Sequence, residues 1–362
     1  MKIAFYGSSL LSSYWNGAAT YYRGILRALA ERGYRITFYE PDAFDRQRHR
    51  DIDPPDWARV VVYPATESGL RDVLARAGDA DILVKASGVG VFDAELLDGI
   101  VANAALHALR IFWDVDAAAT LDEMRGDPSH PVRRALPNLD MVLTYGGGQP
   151  VVEAYERFGA ASCVPVYNAL DPTTHFPVTP DPRFACDLAF LGNRLPDRES
   201  RVEEFFLRPA EALAGRAFLI GGSGWDTRPL PANVRHCGHV STREHNAFNC
   251  TPRAVLNIAR DSMARTGFSP ATRVFEAAGA GACLITDAWE GIEMFLKPDE
   301  EVLVARDGRD VAGLLEALTP ERATAIGRAA RARVTAEHSY ERRARQVDHI
   351  FRRHLTSWQV PA

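Results

Sequence analysis

The chain is poor in cysteine and contains no long apolar run. Its five cysteines are an odd number spread over 362 residues, and no two of them form a CxxC pair. This usage disfavours a disulfide framework and a structural zinc site, so we expect the cysteines to be small buried residues. No run approaches the roughly 18 apolar residues of a membrane-spanning helix. The first residues are typical of a strand instead of a signal peptide, which predicts a cytoplasmic protein without an integral membrane segment.

The chain also lacks an excess of positive charge. Its 42 basic and 47 acidic residues give a net charge of -5, so no global positive field favours nucleic acid or anionic lipid. Lysine occurs only as Lys2, Lys85 and Lys297, and arginine supplies nearly all the positive charge. Arginine suits planar, bidentate recognition of anions, although compositional bias is the simpler explanation of its frequency.

Short apolar runs, each followed by a helical pattern, recur along the chain. This alternation is typical of parallel βα units, and it occurs twice. The runs of the first half predict one sheet and lie at 2–7, 35–40, 59–64, 82–87, 110–114, 141–145 and 162–167. The runs of the second half predict another sheet and lie at 188–192, 217–221, 234–240, 254–259, 283–286 and 302–306.

A proline-rich segment separates the two sets of runs. Prolines at 172, 177, 180 and 182 interrupt regular structure there, which predicts a linker. We therefore expect an α/β protein with one domain at 1–170, a second at 171–340, and a helix at 341–362 that packs back on the first. Open parallel sheets bind ligands at the carboxyl ends of their strands, so we expect the site in a crevice between the domains.

The segment 256–281 carries the strongest signal for an anion site. Ser269 is a good helix N-cap and Pro270 suits the first helical position, with Thr272 following. A phosphate then binds the free amides and the positive end of the helix dipole. Arg273 adds a charge-assisted contact, and Glu276 accepts hydrogen bonds from ribose hydroxyls. The alternative is a capped helix with an Arg273–Glu276 surface pair.

A second basic segment opens the second predicted sheet. Gly192 allows a tight exit from the strand, and Arg194 or Arg198 in the following loop reaches a diphosphate with its forked guanidinium. The alternative is a solvated helix start.

Two further loops of the second domain complete the predicted donor site. Trp225 follows a glycine-rich turn and offers a face for stacking, or is a buried structural residue. The backbone at His239 and Val240 reads a nucleobase edge, although an isolated histidine is more often structural.

Two loops of the first domain are candidates for the acceptor or sugar side. The loop after the first strand contains Trp15, Asn16 and Gly17, and the glycine allows close approach of a ligand to the backbone. It is not a GxGxxG fingerprint, and its alternative is a long connection. Tyr145 and Gly147 end the sixth run, where they bind a ligand or form a turn.

Asp114 and Asp116 are the candidates for a catalytic base. They follow the fifth run, where one carboxylate takes a proton from an acceptor hydroxyl. They also match a DxD pattern, but so do residues 51–53 and 79–81, so a metal site is not supported.

These segments together resemble a known family. The stretches 190–193 with 197–198, 269–279 (SPATRVFEAAG), 284–287 and 338–343 are similar to those of GT-B glycosyltransferases of the CgeB-like branch, named after a spore maturation protein. The resemblance implies two Rossmann-like domains facing a central cleft. It also implies a nucleotide-sugar donor on the second domain, an acceptor on the first, and no required metal. By position, Glu276 resembles the glutamate that holds the ribose.

One residue departs from the best-known retaining members, which carry a second glutamate eight positions earlier. Phe268 stands there, so the stereochemical outcome stays open. Arg273 can stabilise the departing diphosphate. We expect a hexosyltransferase-like enzyme that takes a sugar from a nucleotide-diphosphate donor, most readily UDP, without a cofactor. The alternatives are a noncatalytic nucleotide-sugar-binding protein and a sugar-nucleotide epimerase; a homodimer is left open.

Overall fold

The computed structural model describes residues 1–14, 16–105 and 107–357, which form two compact units. The first unit contains Met1–Asn168 and the helix that begins at Tyr340, and the second contains Ala169–Ser339. Among the described residues, no helix combines the length and apolar character needed to cross a bilayer.

The first unit is built on a seven-stranded parallel sheet in the order β3-β2-β1-β4-β5-β6-β7. Both faces are covered, and every residue of β4 is buried, which is why its strands are continuous apolar runs instead of alternating ones. The strands are β1 (Lys2–Tyr6), β2 (Arg35–Asp42), β3 (Ala58–Pro64), β4 (Ile82–Ala86), β5 (Leu109–Asp114), β6 (Met141–Thr144) and β7 (Cys163–Pro165).

Helices connect and cover these strands. Those before the second unit are α1 (Ala19–Glu31), α2 (Glu67–Arg76), α3 (Asp93–Asn103), α4 (Ala117–Gly126), α5 (Pro131–Ala135) and α6 (Gly148–Arg157). The C-terminal helix α14 (Tyr340–Ser357) packs against α1. There Asp348 accepts hydrogen bonds from Arg32 (2.9 Å) and from the Tyr34 hydroxyl (2.8 Å).

The second unit is built on a six-stranded parallel sheet in the order β10-β9-β8-β11-β12-β13. Its strands are β8 (Leu188–Leu191), β9 (Phe218–Gly221), β10 (Val234–His236), β11 (Ala254–Asn257), β12 (Leu284–Asp287) and β13 (Leu303–Ala305). Its helices are α7 (Pro196–Val202), α8 (Arg208–Ala212), α9 (His245–Cys250), α10 (Asp261–Thr266), α11 (Thr272–Gly279), α12 (Gly308–Ala317) and α13 (Pro320–Glu337). The predicted division of strands between two sheets is confirmed.

The cysteines are less uniformly buried than predicted. All are free thiols; Cys163 and Cys283 are buried, whereas Cys186, Cys237 and Cys250 are half-buried.

Candidate active site

The N-terminus of α11 lies near the carboxyl end of β11, but it begins later than the sequence predicted. Its N-cap is Ala271, and no side chain caps it. The prediction that Ser269 caps this helix was wrong, because the Ser269 hydroxyl donates instead to the Gly267 carbonyl at 2.8 Å. Pro270 is buried in the loop before the helix. The uncapped first turn, which includes Thr272, therefore leaves backbone N–H groups open to an anion.

Arg273 sits in this first turn with its side chain half-buried. Its guanidinium forms no hydrogen bond or salt bridge with the residues the structure describes. Burial lowers the pKa of Arg273, while the nearby Glu276 carboxylate opposes this shift. The alternative of an Arg273–Glu276 ion pair is therefore not formed, and a desolvated guanidinium is left for another anion.

Glu276 lies one turn further along α11, between two histidines. Its side chain is 13% exposed, and its Oε1 is 3.9 Å from Nε2 of His175. His245, the first residue of α9, faces the same carboxylate, and ligand atoms of the three side chains all lie within 4.8 Å of one another. Burial lowers the pKa of His245, against the opposing effect of Glu276. Sequence reasoning found the glutamate and missed both histidines.

A buried aspartate holds the loop that precedes this helix. Asp287 ends β12, accepts a hydrogen bond from the Ala259 backbone at 3.0 Å, and pairs with Arg201 of α7 at 2.6 Å. Burial raises the pKa of Asp287, although these two partners stabilise its charge. The contacts tie α7 to the carboxyl ends of β11 and β12, so they fix the framework of the site.

The two predicted diphosphate arginines, Arg194 and Arg198, are already engaged. Arg194 pairs with Glu199 at 2.6 Å and donates to Thr227 at 2.8 Å. Arg198 donates to the Asn193 carbonyl at 2.8 Å, and its guanidinium would lie 2.6 Å from a Cβ on Gly192. A larger residue at Gly192 would therefore displace the Arg198 side chain. The geometry favours Arg273 over Arg194 as the residue available to an anion.

The structure separates the other predicted donor residues. Trp225 is fully buried and donates to the Gly192 carbonyl at 2.7 Å, so its ring is not available for stacking on a ligand, and this part of the prediction is corrected. His239 is exposed and Val240 is buried. Both line a cavity of about 430 Å³, together with Arg235 and Glu244. Their proposed contact with a nucleobase stays a prediction.

In the first unit, the loop after β1 is held by its own polar groups. Asn16 is 7% exposed, donates to the Ser9 and Ser12 carbonyls, and accepts from the Ser8 hydroxyl. Its amide is thus occupied in shaping the loop instead of facing a sugar. Gly17 has open space around its Cα. Trp15 lies outside the described residues.

The turn after β6 requires a glycine at position 147. Gly147 has a φ of 92°, and a Cβ there would lie 2.0 Å from Cγ2 of Val151. A glycine is therefore needed for the turn into α6. Tyr145 is half-buried and packs near Tyr21.

Asp114 does not have the environment of an accessible base. It is fully buried, accepts from the Ser87 hydroxyl (2.7 Å) and the Asp116 amide (2.9 Å), and receives a further hydrogen bond from the Tyr155 hydroxyl. Burial raises its pKa despite these bonds. Its carboxylate organises the carboxyl ends of β4 and β5, so the structure favours Asp116 among the two candidates.

Asp116 lines a cavity of about 350 Å³ at the carboxyl ends of β4 and β5. Lys85 also lines it and pairs with Asp93 at 2.6 Å. His130 contributes a ring whose Nε2 is 3.3 Å from Glu123. These polar groups share the lining with apolar side chains such as Leu97 and Phe112, and the volume is in the range of small-molecule sites.

A bigger cavity, of about 660 Å³, is lined by Lys2, Arg35 and Arg59 at the amino ends of β1 to β3. It lies at the opposite end of the strands from Asp116. Ligands of open parallel sheets bind at the carboxyl ends, so size alone does not make it the active site.

Known proteins resemble this chain in sequence over part of its length and in fold over nearly all of it. A family model described as glycosyl transferase-like matches residues 198–348, which include Arg273 and Glu276. No curated protein sequence matches the chain.

Solved structures match nearly the whole chain. Sucrose-phosphate synthase from Thermosynechococcus elongatus is 14% identical, with a TM-score of 0.69 and coverage of 99% of this chain and 100% of that one. HepE of Anabaena, in complex with UDP-glucose, is 12% identical, with a TM-score of 0.64 and coverage of 97% and 99%. An alpha-glucosyltransferase in complex with UDP and DNA is 11% identical, with a TM-score of 0.71 and the same coverage.

The fold is that of GT-B glycosyltransferases. The predicted fold class, with its two parallel-sheet α/β domains, is thereby confirmed. The narrower resemblance to the CgeB-like branch stays a prediction.

In each unit, polar residues that line a candidate site were not found from the sequence. Lys85 had a usable signal, since a lysine inside an otherwise apolar buried strand needs a partner. His175 and His245 lie in segments that are far from Glu276 in sequence, so no local pattern linked them.

Proposed function

We propose that the protein is a glycosyltransferase that moves a sugar from a nucleotide-diphosphate sugar, preferentially a UDP-sugar, to an acceptor hydroxyl. The single observation that carries this proposal is the α11 N-terminus, where open backbone amides, Glu276 and an Arg273 with no ion-pair partner among the described residues lie within one turn. This combination suits a diphosphate followed by a ribose.

In the proposed reaction, the bond between the sugar C1 and the diphosphate oxygen breaks, and a bond from C1 to the acceptor oxygen forms. Negative charge then develops on the diphosphate, where Arg273 and the amides of α11 stabilise it. The acceptor proton goes to the Asp116 carboxylate in the first unit. Because the leaving group is neutralised by a guanidinium and a helix N-terminus, we propose transfer without a metal cofactor.

Glu276 is proposed to accept hydrogen bonds from the ribose hydroxyls. Its test compares UDP with 2′,3′-dideoxy-UDP by calorimetry, in the wild type and in Glu276→Gln. The wild type is expected to bind UDP more tightly, since charge-assisted hydrogen bonds contribute about 1.5–3 kcal/mol. The variant is expected to lose most of this discrimination. Equal discrimination in both proteins contradicts the ribose role.

The activity itself is tested with a panel of UDP-, GDP- and dTDP-sugars, by measuring release of the nucleoside diphosphate with and without mixed sugar acceptors. We expect release that depends on the acceptor, prefers one nucleotide, and persists in EDTA. Tight nucleotide binding without release from any donor contradicts transfer and indicates a noncatalytic binding protein. Conversion of the donor to its epimer, without transfer, indicates an epimerase. Loss of activity in EDTA contradicts the metal-independent step.

A further inference from the structure

Two histidines flank the carboxylate of Glu276, and neither has a role in the proposed reaction. His175 comes from the loop before β8, His245 from the start of α9, and Glu276 from α11. Nε2 of His175 is 3.9 Å from Oε1 of Glu276, and one ligand atom from each side chain lies within 4.8 Å of the others. Three separate segments thus bring two imidazoles and one carboxylate to the same point.

The surroundings of these side chains suit ligation. His175 is 6% exposed, and its Nδ1 is 2.9 Å from the Thr174 hydroxyl. This contact fixes the ring and directs the other nitrogen toward Glu276, which is the usual arrangement of a metal-bound histidine and its outer partner. The Glu276 side chain is 13% exposed, so the carboxylate is largely shielded from water.

We infer that His175, His245 and Glu276 form a binding site for a zinc-type divalent cation. Imidazole nitrogens together with one carboxylate are a common zinc ligand set, whereas magnesium and calcium prefer oxygen ligands. Zinc binds these groups at about 2.0–2.2 Å, so tetrahedral ligands lie roughly 3.4 Å apart. The present atoms lie within 4.8 Å of one another, so binding would draw them together by up to about 1.4 Å. Three protein ligands leave one tetrahedral position for water or another ligand.

The site predicts inhibition by zinc, and this consequence rests on the proposed function of Glu276. A cation held by Glu276 removes the carboxylate from the ribose, so zinc and nucleotide compete. The competition is reciprocal: each weakens the binding of the other by the same factor. Arg273, whose charge acts on both His245 and Glu276, opposes cation binding, and its removal is expected to tighten it.

The test uses tag-free, nucleotide-free protein titrated with ZnCl₂ against a chromophoric chelator. We expect one tight site per chain, and no comparable site for MgCl₂. His175→Ala, His245→Ala and Glu276→Gln are each expected to weaken zinc binding by about tenfold or more. The control is His107→Ala, an exposed histidine of the first unit, which is expected to leave it unchanged. Thermal unfolding checks that each variant is folded, and Glu276→Gln changes the least volume if the buried His175 variant is unstable.

Two further measurements separate this site from its rivals. Cobalt added in place of zinc is expected to give visible absorption bands of a tetrahedral site in the wild type and not in His245→Ala. Zinc affinity that survives all three substitutions, or that is lost only on alkylating the cysteines, overturns the assignment. Zinc and UDP binding without mutual effect overturns the competition. UDP binding measured without zinc tests the proposed function separately, so a failure of one is distinguishable from a failure of the other.

Discussion

Replacing Arg273 with glutamine is expected to change folding stability and nucleotide binding in opposite directions. The guanidinium is half-buried and forms no ion pair in the described chain, and burial lowers its pKa. A buried polar group without a partner costs about 1–3 kcal/mol. Because Arg273 is only half-buried and glutamine is still polar, the gain is at most about the lower limit, 1 kcal/mol. For a unit the size of 169–339, that gain raises the melting temperature by about 2–4 °C.

The expected loss of nucleotide affinity follows from the hydrogen bond that Arg273 would make to the diphosphate. A charge-assisted hydrogen bond contributes about 1.5–3 kcal/mol, so Arg273→Gln is expected to weaken UDP binding by roughly 10- to 150-fold. At a UDP concentration of about 100 times the wild-type Kd, UDP stabilises the wild type by about 2.7 kcal/mol. A tenfold to hundredfold weaker variant gains only about 1.4 to 0.4 kcal/mol at that concentration. Thermal unfolding with and without UDP, supported by calorimetry, measures both effects.

The controls distinguish a specific anion contact from a general loss of charge. Arg309→Gln removes an exposed arginine from the first turn of α12 and is expected to change neither quantity. Arg273→Lys keeps the charge without the fork and is expected to lie between the wild type and Arg273→Gln. Binding of UDP to Arg273→Gln as tight as to the wild type, or a lower stability of the nucleotide-free variant, contradicts the anion contact.

Three further predictions concern the first unit. Gly147→Ala is expected to destabilise it by about 1–2 kcal/mol for the positive φ and about 1–3 kcal/mol more for the contact with Val151. At Gly159 φ is 99° and a Cβ would have nothing within 4 Å, so Gly159→Ala is expected to lose only the stability that the positive φ costs. Equal losses of Tm in Gly147→Ala and Gly159→Ala contradict a contribution from the Val151 contact. For Asp114, burial raises the pKa from its ordinary 3.8, so its contribution to stability is greatest below that value and declines as pH rises. The free energy of unfolding of the wild type minus that of Asp114→Asn is therefore expected to fall from acid toward neutral pH. A rise of this quantity with pH contradicts the raised pKa. For Asp348, burial acts to raise the pKa, but hydrogen bonds from Arg32, Arg352 and Tyr34 outweigh it and lower the pKa from 3.8 to about 2. That shift contributes about 2 kcal/mol to the free energy of unfolding above pH 3.8, and the contribution is lost as pH falls toward 2. The free energy of unfolding of the wild type minus that of Asp348→Asn is therefore expected to fall on acidification. A difference that does not change with pH contradicts the lowered pKa.

The two sheets could be predicted from the sequence because strands that are buried on both faces are continuous apolar runs. A strand such as β4 is apolar along its whole length, and turn-forming residues bound it. Its Lys85 is the exception, and it is tolerated because Asp93 pairs with it at 2.6 Å. Local composition therefore fixed the elements and their order, whereas the partner of each buried charge depended on the fold.

The candidate site was harder to predict because similar residues differ only in their partners. Arg194 and Arg273 both follow strands of the second sheet and both looked suited to a diphosphate. In the structure Glu199 pairs with Arg194 at 2.6 Å, while no acid of residues 1–14, 16–105 and 107–357 forms an ion pair with Arg273. Ser269 and Pro270 matched a helix start, yet the serine hydroxyl bonds to Gly267 and the helix begins at Thr272.

Those two deviations act in the same direction. A Ser269 cap would have satisfied an amide of the first turn of α11, and an ion pair with Glu276 would have neutralised Arg273. With neither formed, the helix N-terminus and the guanidinium both keep unsatisfied capacity for negative charge, at some expense in the stability of the nucleotide-free protein. Sequence rules predict the arrangement that is best for an isolated helix, and a binding site is a place where that arrangement is incomplete until the ligand supplies the missing partner. Arg273 is therefore the residue at which stability and nucleotide affinity should be separable by a single substitution.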